Sequence, residues 1–263
     1  MRILAIICLG LASLTGQQTP PVQKGGEAQT NQRKARAVLD RMIATMGGPA
    51  YLNVQDSFVE GRYGRFHNEV MVGGAVYFRY WKWPDLERVE ITKERDIVQL
   101  YLGDKEYEVT FRGPKELDPK KDDNVRLALV RRHYTMETVL RQWINEPGTI
   151  LLDEGPSLAE NLMAEKITII NSKNDSVSIL VSPDTYLPLE KIFIIRDPLS
   201  REREEEVEIY GNWRMVQGIN TPCSVQIKHS GQMARQQIIS NISYNTHPPD
   251  SYFTPKLIDH AKK

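Results

Sequence analysis

The chain has 263 residues, with 34 basic and 34 acidic side chains, so its formal net charge at pH 7 is zero. A neutral chain has no overall field that attracts nucleic acid or an anionic membrane surface, and we expect no nucleic-acid partner. Two cysteines are too few for a disulfide framework. The fold must therefore rest on one large core, as in the single β domains that commonly reach this length.

The N-terminus has the order of a secretory signal peptide. Arg2 precedes an apolar run from Ile3 to Leu14, and small or polar residues follow at positions 15–17. The run is too short for a membrane-spanning helix, which needs roughly 20 apolar residues. We therefore predict a signal peptide over residues 1–16, export of the protein, and no stable membrane span. Cleavage would leave Cys223 as the only cysteine, and we interpret it as a small packing residue.

A leader and a helix are predicted next. Residues 17–28 are rich in Gln, Pro, Gly and Thr, which predicts a flexible leader before a single domain over residues 29–263. Apolar residues then recur at helical spacing, at Ala35, Val38, Leu39, Met42, Ile43 and Met46. Gly47, Gly48 and Pro49 end this amphipathic helix.

From Val54 onward the apolar period changes to two, which is typical of strands. Strand patterns lie near 54–64, 69–83, 86–92, 96–102 and 105–112. After a polar stretch at 113–123, apolar spacing from Val125 to Trp143 predicts a second helix. Further strand patterns lie near 165–171, 176–182, 187–196, 203–213, 221–229 and 233–244. Short turns between them imply antiparallel hairpins.

Catalytic and metal-binding motifs are absent from the sequence. The five histidines have no Cys, Asp or second His at metal-ligand spacing, and Gly-x-Ser-x-Gly does not occur. We therefore expect no enzyme activity, no metal and no cofactor; a hydrolase would need titratable groups that converge only in space. The charge run 201–206 is interpreted as a solvated hairpin end. The aromatic strand 77–83 is interpreted as core or cavity lining, with an exposed ligand surface or nucleic-acid platform as alternatives.

Local phrases in the second half resemble a known family. They are the segment Val181-Ser-Pro-Asp-Thr-Tyr-Leu-Pro-Leu189, the segment from Tyr210 to Pro222, and the closing Pro249-Asp-Ser-Tyr-Phe-Thr-Pro255. With the order of helix, hairpins, mid-chain helix and further strands, residues 30–257 resemble the LolA-like outer-membrane lipoprotein-sorting proteins. The resemblance implies a mainly β fold with helices (α+β): an incomplete antiparallel β-barrel, here of about 11 strands, with helices covering one mouth.

The resemblance also implies a function. We expect a periplasmic carrier that holds the acyl chains of a lipid or lipoprotein in an apolar half-barrel cavity, with the first helix as part of a lid. The predicted cavity lining, taken as one face of the strands, is Val89, Ile91, Val98, Leu100, Val109, Phe111, Ile179 and Phe193. Arg41 and Arg79 are either head-group contacts or ordinary exposed arginines. The alternative function is a non-enzymatic interaction module that binds an envelope protein through the sheet face or edge.

Overall fold

The structure is a computed structural model that describes residues 24–257. The predicted signal peptide and residues 17–23 of the predicted leader lie outside the described residues, as do the last six positions of the predicted domain. The first helix, α1, spans Lys24–Met46. It therefore includes residues 24–28, which the composition had assigned to the leader. Acidic Glu27 in the first turn suits the positive end of the helix dipole.

Within residues 24–257 the strands form a single antiparallel sheet of thirteen strands, in the order β6-β5-β4-β3-β2-β1-β13-β12-β11-β10-β9-β8-β7. The strands are β1 Asp56–His67, β2 Val70–Lys82, β3 Leu86–Ile91, β4 Ile97–Leu102, β5 Lys105–Thr110, β6 Gly113–Leu117, β7 Ile150–Ala159, β8 Leu162–Ile170, β9 Ser176–Val181, β10 Pro188–Arg196, β11 Arg203–Val216, β12 Ile219–His229 and β13 Gln232–Tyr244. Two meanders, β1–β6 and β7–β13, join where β1 pairs with β13. β6 and β7 remain open edges, which confirms the predicted incomplete barrel.

A short helix, α2, spans Pro49–Leu52 directly after α1. The mid-chain helix is broken into two pieces, α3 Asp123–Arg131 and α4 Met136–Arg141. Between α3 and α4 the chain forms a 3₁₀ turn and then extends at Thr135, whose side chain accepts a hydrogen bond from the Thr138 amide at 3.2 Å. This N-cap starts a new helix, so the continuous helix predicted from Val125 to Trp143 is wrong in its middle.

The register assigns each strand residue to one of two faces, because directly paired residues share a face. We call the face that carries the helices the helix face, and the opposite one the outer face. Trp81 pairs with Glu87, and Glu87 pairs with Tyr101, so these three side chains lie on the helix face. The main core lies between this face and the helices.

Across residues 24–257, no helix combines the length and the apolar character that crossing a membrane requires.

Candidate functional site

The most apolar part of the helix face lies on β8, β9 and β10. Its side chains are at most 2% exposed, and the register places them in transverse rows, such as Ile167, Ile179 and Lys191. We call the apolar members of this surface the cradle: Ile167, Ile169, Val177, Ile179, Val181, Phe193 and Ile195. β-branched side chains dominate it because they pack well on a pleated surface.

α1 fills the cradle with its apolar stripe. Ala35, Leu39 and Met42 are fully buried, and Ile43 and Met46 are 7% and 4% exposed. These residues recur every three or four positions, so one side of the helix carries all of them. The segment around α4 packs into the same core with Val139, Leu140 and Trp143. The predicted amphipathic helix is therefore confirmed, and together with the segment around α4 it covers the apolar half of the sheet.

Only a few polar contacts attach α1 to the sheet. The Asn31 amide donates to the Asp153 carbonyl at 2.7 Å and accepts from the Asp153 amide at 2.9 Å. A side-chain amide thus takes the position of a neighbouring strand at one point of the open edge β7. At the other end, Asn220 donates to the Thr45 carbonyl at 2.7 Å. Between these anchors the interface is mainly hydrophobic.

Four of the eight predicted lining residues lie on the helix face. Ile179 and Phe193 belong to the cradle, at 0% and 2% exposure. Val89 pairs with Arg79 and Ile91 with Tyr77, so they also face the helices, but both are half-buried and lie on the other meander. These positions are compatible with a ligand surface.

Of the other four, three lie on the outer face and one lies in a turn, so the expectation that all eight share one face is wrong. Val89 pairs with Gln99, which turns Val98 and Leu100 outward, and Val98 pairs with Val109. These three are at most 1% exposed, and the 3₁₀ segment Asp250–Phe253 lies against β3 and β4 on the same face. Phe111, in the β5–β6 turn, is 75% exposed.

A charged network occupies the helix face of β2–β5. Glu87 accepts from Arg79 at 2.6 Å and from Arg132 at 2.5 Å. Burial works to raise the pKa of Glu87, but the two guanidiniums outweigh it and hold the pKa below its ordinary value. Arg79, predicted as a head-group contact or an exposed arginine, is instead a half-buried partner of this carboxylate. Arg41 lies 4.3 Å over the Tyr186 ring.

A second set of ion pairs is centred on β11, which it joins to α3, β10 and β12. Arg131 donates to Glu206 at 2.5 Å, and His229 lies 3.2 Å from the same carboxylate. Lys191, 1% exposed, lies 2.9 Å from Glu208. Glu206 is 2% exposed, so the interpretation of the run 201–206 as wholly solvated is wrong. Its alternate residues face the helices, which the sequence pattern does not reveal.

Cys223, in β12, lies in the interior of the protein. Cys223 is a free, fully buried thiol, which confirms the packing interpretation. Residues 24–257 contain no group of three His, Cys, Asp or Glu side chains arranged to hold a metal ion.

Comparisons with known proteins place this geometry in a fold family. A DUF1329 family protein from Desulfovibrio piger is 13% identical, with a TM-score of 0.55, over 84% of this chain and 97% of that chain. An outer-membrane lipoprotein-sorting protein domain from Vibrio parahaemolyticus is 9% identical, with a TM-score of 0.56, over 85% and 97%. A LolA superfamily protein from Nitrosomonas europaea is 14% identical, with a TM-score of 0.51, over 84% and 97%.

The sequence comparisons add no further relatives: no protein-family model matches the chain. No curated protein sequence matches it either. At identities of 9–14% the structural likeness bears on architecture alone. The chain has a LolA-like fold.

Proposed function

We propose that this protein is an exported, non-enzymatic carrier that binds the acyl chains of a lipid or lipoprotein in the cradle, with α1 as a displaceable lid. The observation that supports this most directly is the way α1 fills the cradle. α1 and the segment around α4 together cover this apolar surface, and only a few polar contacts attach α1 to the sheet. Binding of this kind requires shape and apolar area, and it needs no catalytic residue.

The energetics favour exchange between helix and ligand. Burying one acyl CH₂ group is worth about 0.8 kcal/mol, so a long chain supplies apolar burial comparable with that of the five stripe residues of α1. An acyl chain that enters under α1 would replace one set of apolar contacts with another. A closed apo form therefore avoids the exposed apolar surface that an empty cradle would present to water.

The fold supports the same class of function. One structure with the same architecture is described as an outer-membrane lipoprotein-sorting domain, and the N-terminal sequence has the order of a signal peptide. A role in the bacterial periplasm, in sorting lipoproteins or in carrying lipid, agrees with both. The ligand-lining residues proposed for this role are Ile179 and Phe193 in the cradle, and Val89 and Ile91 on the helix face of the other meander.

One observation favours the alternative of a protein-interaction module. The β7–β8 hairpin exposes Leu158, Leu162 and Met163 at 61%, 59% and 60%, beside the open edge strand β7. Exposed apolar side chains at a strand edge are typical of surfaces that bind another protein. A carrier and an interaction module differ in one measurable property, which is stoichiometric uptake of a free acyl chain.

The test uses the lid anchor. Native mass spectrometry and tryptophan fluorescence would measure binding of palmitic acid and of a palmitoylated peptide to the full mature chain. Asn31→Ala removes both hydrogen bonds to Asp153, and we expect it to lower the free energy of unfolding by about 1–2 kcal/mol. Since the bound state requires an open lid, the same change should tighten acyl binding several-fold.

Gln32→Ala is the matched control, because Gln32 is the next residue on α1 and is exposed. We expect it to leave both measurements unchanged. If the wild-type chain takes up neither ligand at 100 μM, the carrier proposal is wrong and the interaction module becomes the better account. If Gln32→Ala matches Asn31→Ala, α1 is not the lid.

A further inference from the structure

Part of β2 has a neighbouring strand on only one side. Its pairing with β3 ends at Tyr77, and beyond that point the Thr92 amide donates one more hydrogen bond to the Val76 carbonyl at 3.0 Å. Residues 70–75 still pair with β1. Within residues 24–257, no other strand or loop makes a backbone hydrogen bond to them. We call residues 70–75 of β2 the free edge.

The free edge carries neither proline nor charge. Its sequence is Val-Met-Val-Gly-Gly-Ala, whereas natural edge strands are commonly blocked by a proline, a lysine or another charge. Its pairing with β1 is irregular at Val72, so residues 73–75 form the regular part. Val70, Met71 and Val72 are 64%, 60% and 59% exposed. The free edge thus combines unpaired backbone groups with exposed apolar side chains, and an additional strand would cover both.

The hairpin that carries the free edge is fixed from its opposite side. The Glu69 carboxylate accepts a hydrogen bond from the Met233 amide at 3.0 Å, which ties the β1–β2 turn to β13. Asn68 and Glu69 form the apex of this turn, so the apolar residues lie along the strand and polar residues lie at its tip. Unpaired backbone groups are also unfavourable in hydrocarbon. Both observations favour a partner strand over a membrane surface.

A cation lies over the free edge. Arg65 of β1 pairs with Gly73, and its side chain extends across β2, since a Cβ atom built on Gly73 would lie 3.4 Å from Nη2 of Arg65. In the part of the chain that the structure describes, Arg65 makes no ion pair and no side-chain hydrogen bond. A strand added beside β2 would place the residue opposite Gly73 about 5 Å away. An acidic side chain at that position would meet the Arg65 guanidinium.

We propose that the free edge binds an extended segment of a partner protein as an additional strand, with an acidic residue of that segment beside Arg65. In complexes of this kind, backbone hydrogen bonds to the open strand provide affinity, and alternate side chains provide specificity. The exposed side chains of Val70, Met71 and Val72 favour apolar residues in the rest of the bound segment.

Charge distinguishes this partner from a second copy of the chain. A copy that paired about Gly73 would bring its own Arg65 to the same place, and like charges opposite each other destabilise a pair of strands. A segment with an acidic residue replaces this repulsion with an attraction.

The inference goes beyond the proposed carrier function and does not depend on it. The free edge belongs to the β1–β6 meander, and β1, β13, β12 and β11 separate β2 from the cradle strand β10. A partner strand beside β2 would therefore lie away from α1 and the cradle. Binding of a partner and uptake of an acyl chain can be measured independently.

The test uses three synthetic peptides. The first is a blocked heptapeptide of alternating threonine and valine with aspartate at its centre. The second has lysine in place of the aspartate, and the third keeps the aspartate but has proline in place of each valine. Fluorescence anisotropy of the labelled peptides measures binding to the full mature chain at low salt. We expect the aspartate peptide to bind about fivefold more tightly than the lysine peptide, and the proline peptide not to bind.

Two further measurements locate the bound peptide. Arg65→Glu should reverse the preference between the aspartate and lysine peptides. Arg62→Glu is the matched control and should leave the preference unchanged, because Arg62 is exposed on the outer face of the same strand. On addition of the aspartate peptide, amide hydrogen exchange should slow at residues 70–75, and exchange in β6 and β7 should not change.

Failure of the wild-type chain to bind the aspartate peptide at about 1 mM would overturn the proposal. Slower exchange at β6 or β7 instead of the free edge would do the same. A concentration-dependent dimer that protects residues 70–75 would assign the free edge to a second copy, and protection by phosphatidylglycerol vesicles without peptide binding would assign it to a membrane. Palmitate uptake is measured separately. A chain that takes up palmitate but binds no peptide refutes this proposal alone, and the reverse result refutes only the carrier.

Discussion

Glu106 is buried on the helix face of β5 and combines two unusual properties. It is 4% exposed, and its Oε2 atom has no hydrogen-bond partner within residues 24–257. Burial raises its pKa to about 7, although a hydrogen bond from the Tyr101 hydroxyl works in the opposite direction. Between pH 4.5 and 7, the folded protein therefore keeps a proton on the Glu106 carboxyl, whereas the unfolded chain has released it.

This difference predicts how stability depends on pH. Between pH 4.5 and 7 the folded state binds more protons at this position than the unfolded state, so the contribution of Glu106 to stability falls as pH rises. Glu106→Gln stays neutral at every pH. We expect the variant to be more stable than the wild type at pH 8 and close to it at pH 4.5, measured by urea unfolding.

Glu108→Gln is the control, since Glu108 lies on the same face of the same strand but is exposed. A stability difference for Glu106→Gln that is the same at both pH values would show that the carboxyl titrates normally.

At the scale of single residues, the sequence could indicate which side chains are apolar but could not assign charged residues to the interior. Glu206 lies in a run of charges that is typical of solvent exposure. It is buried because Arg131 reaches it from α3, more than seventy positions earlier in the chain. Only the docking of α3 on β10 and β11 determines that partner.

At the scale of elements, each of the two edge strands contains a proline. Pro156 in β7 pairs with Glu165, and Pro114 in β6 pairs with Val109. A proline nitrogen carries no hydrogen, so these positions present no donor to a strand that approaches the open edge. β7 also has a register shift between Asp153 and Gly155. Each edge is thus a poor template for pairing with another chain.

Replacing the proline of β7 should cause the protein to self-associate. In Pro156→Val, a free N–H and a β-branched side chain would replace the proline at the open edge. We expect the mass of the variant, measured by size-exclusion chromatography with light scattering, to rise with protein concentration as dimers or larger species form. The mass of the wild-type chain should not change over the same concentrations. Leu152→Val is the control, because it changes an exposed apolar residue of the same strand and retains the N–H. If both variants remain like the wild type, the proline does not protect the edge.

The edge strands were also the strands that the sequence did not predict. β6 reads Gly-Pro-Lys-Glu-Leu, and β7 contains a glycine and a proline, so neither has a clear apolar period. The central strands are apolar on alternate positions and were located correctly. The sequence does not predict which side chains of β4 point toward the helices, because both faces of this strand carry large side chains. The pairing of Ile91 with Ile97 sets the register of β3 and β4, and this register decides the face.

At the scale of the whole molecule, the pairing of β1 with β13 holds the two meanders in one sheet. Gly61 lies in this seam, where a Cβ atom would come within 2.6 Å of the Ile238 carbonyl oxygen and 2.9 Å of the Tyr77 ring. The Ile238 carbonyl belongs to the backbone of β13, so it cannot move aside as the end of a flexible side chain can. The glycine is therefore required for close approach of β1 and β13.

Gly61→Ala should weaken the entire fold. We expect the free energy of unfolding to fall by about 1–3 kcal/mol, because the extra methyl overpacks the seam. Gly211→Ala is the control in the same sheet, since no atom lies within 4 Å of a Cβ built there. Tryptophan fluorescence and far-ultraviolet circular dichroism should change together during denaturation. Two separate transitions would show that the meanders unfold independently.

The position of α1 in the chain has a consequence for biogenesis. The helix is synthesised first, whereas the cradle strands β8–β10 are synthesised more than a hundred residues later. During synthesis the stripe of Leu39, Met42 and Ile43 therefore has no sheet to cover it. A partly synthesised chain would present this helix to chaperones, and burial of the helix is complete only after the strands of the C-terminal half have formed.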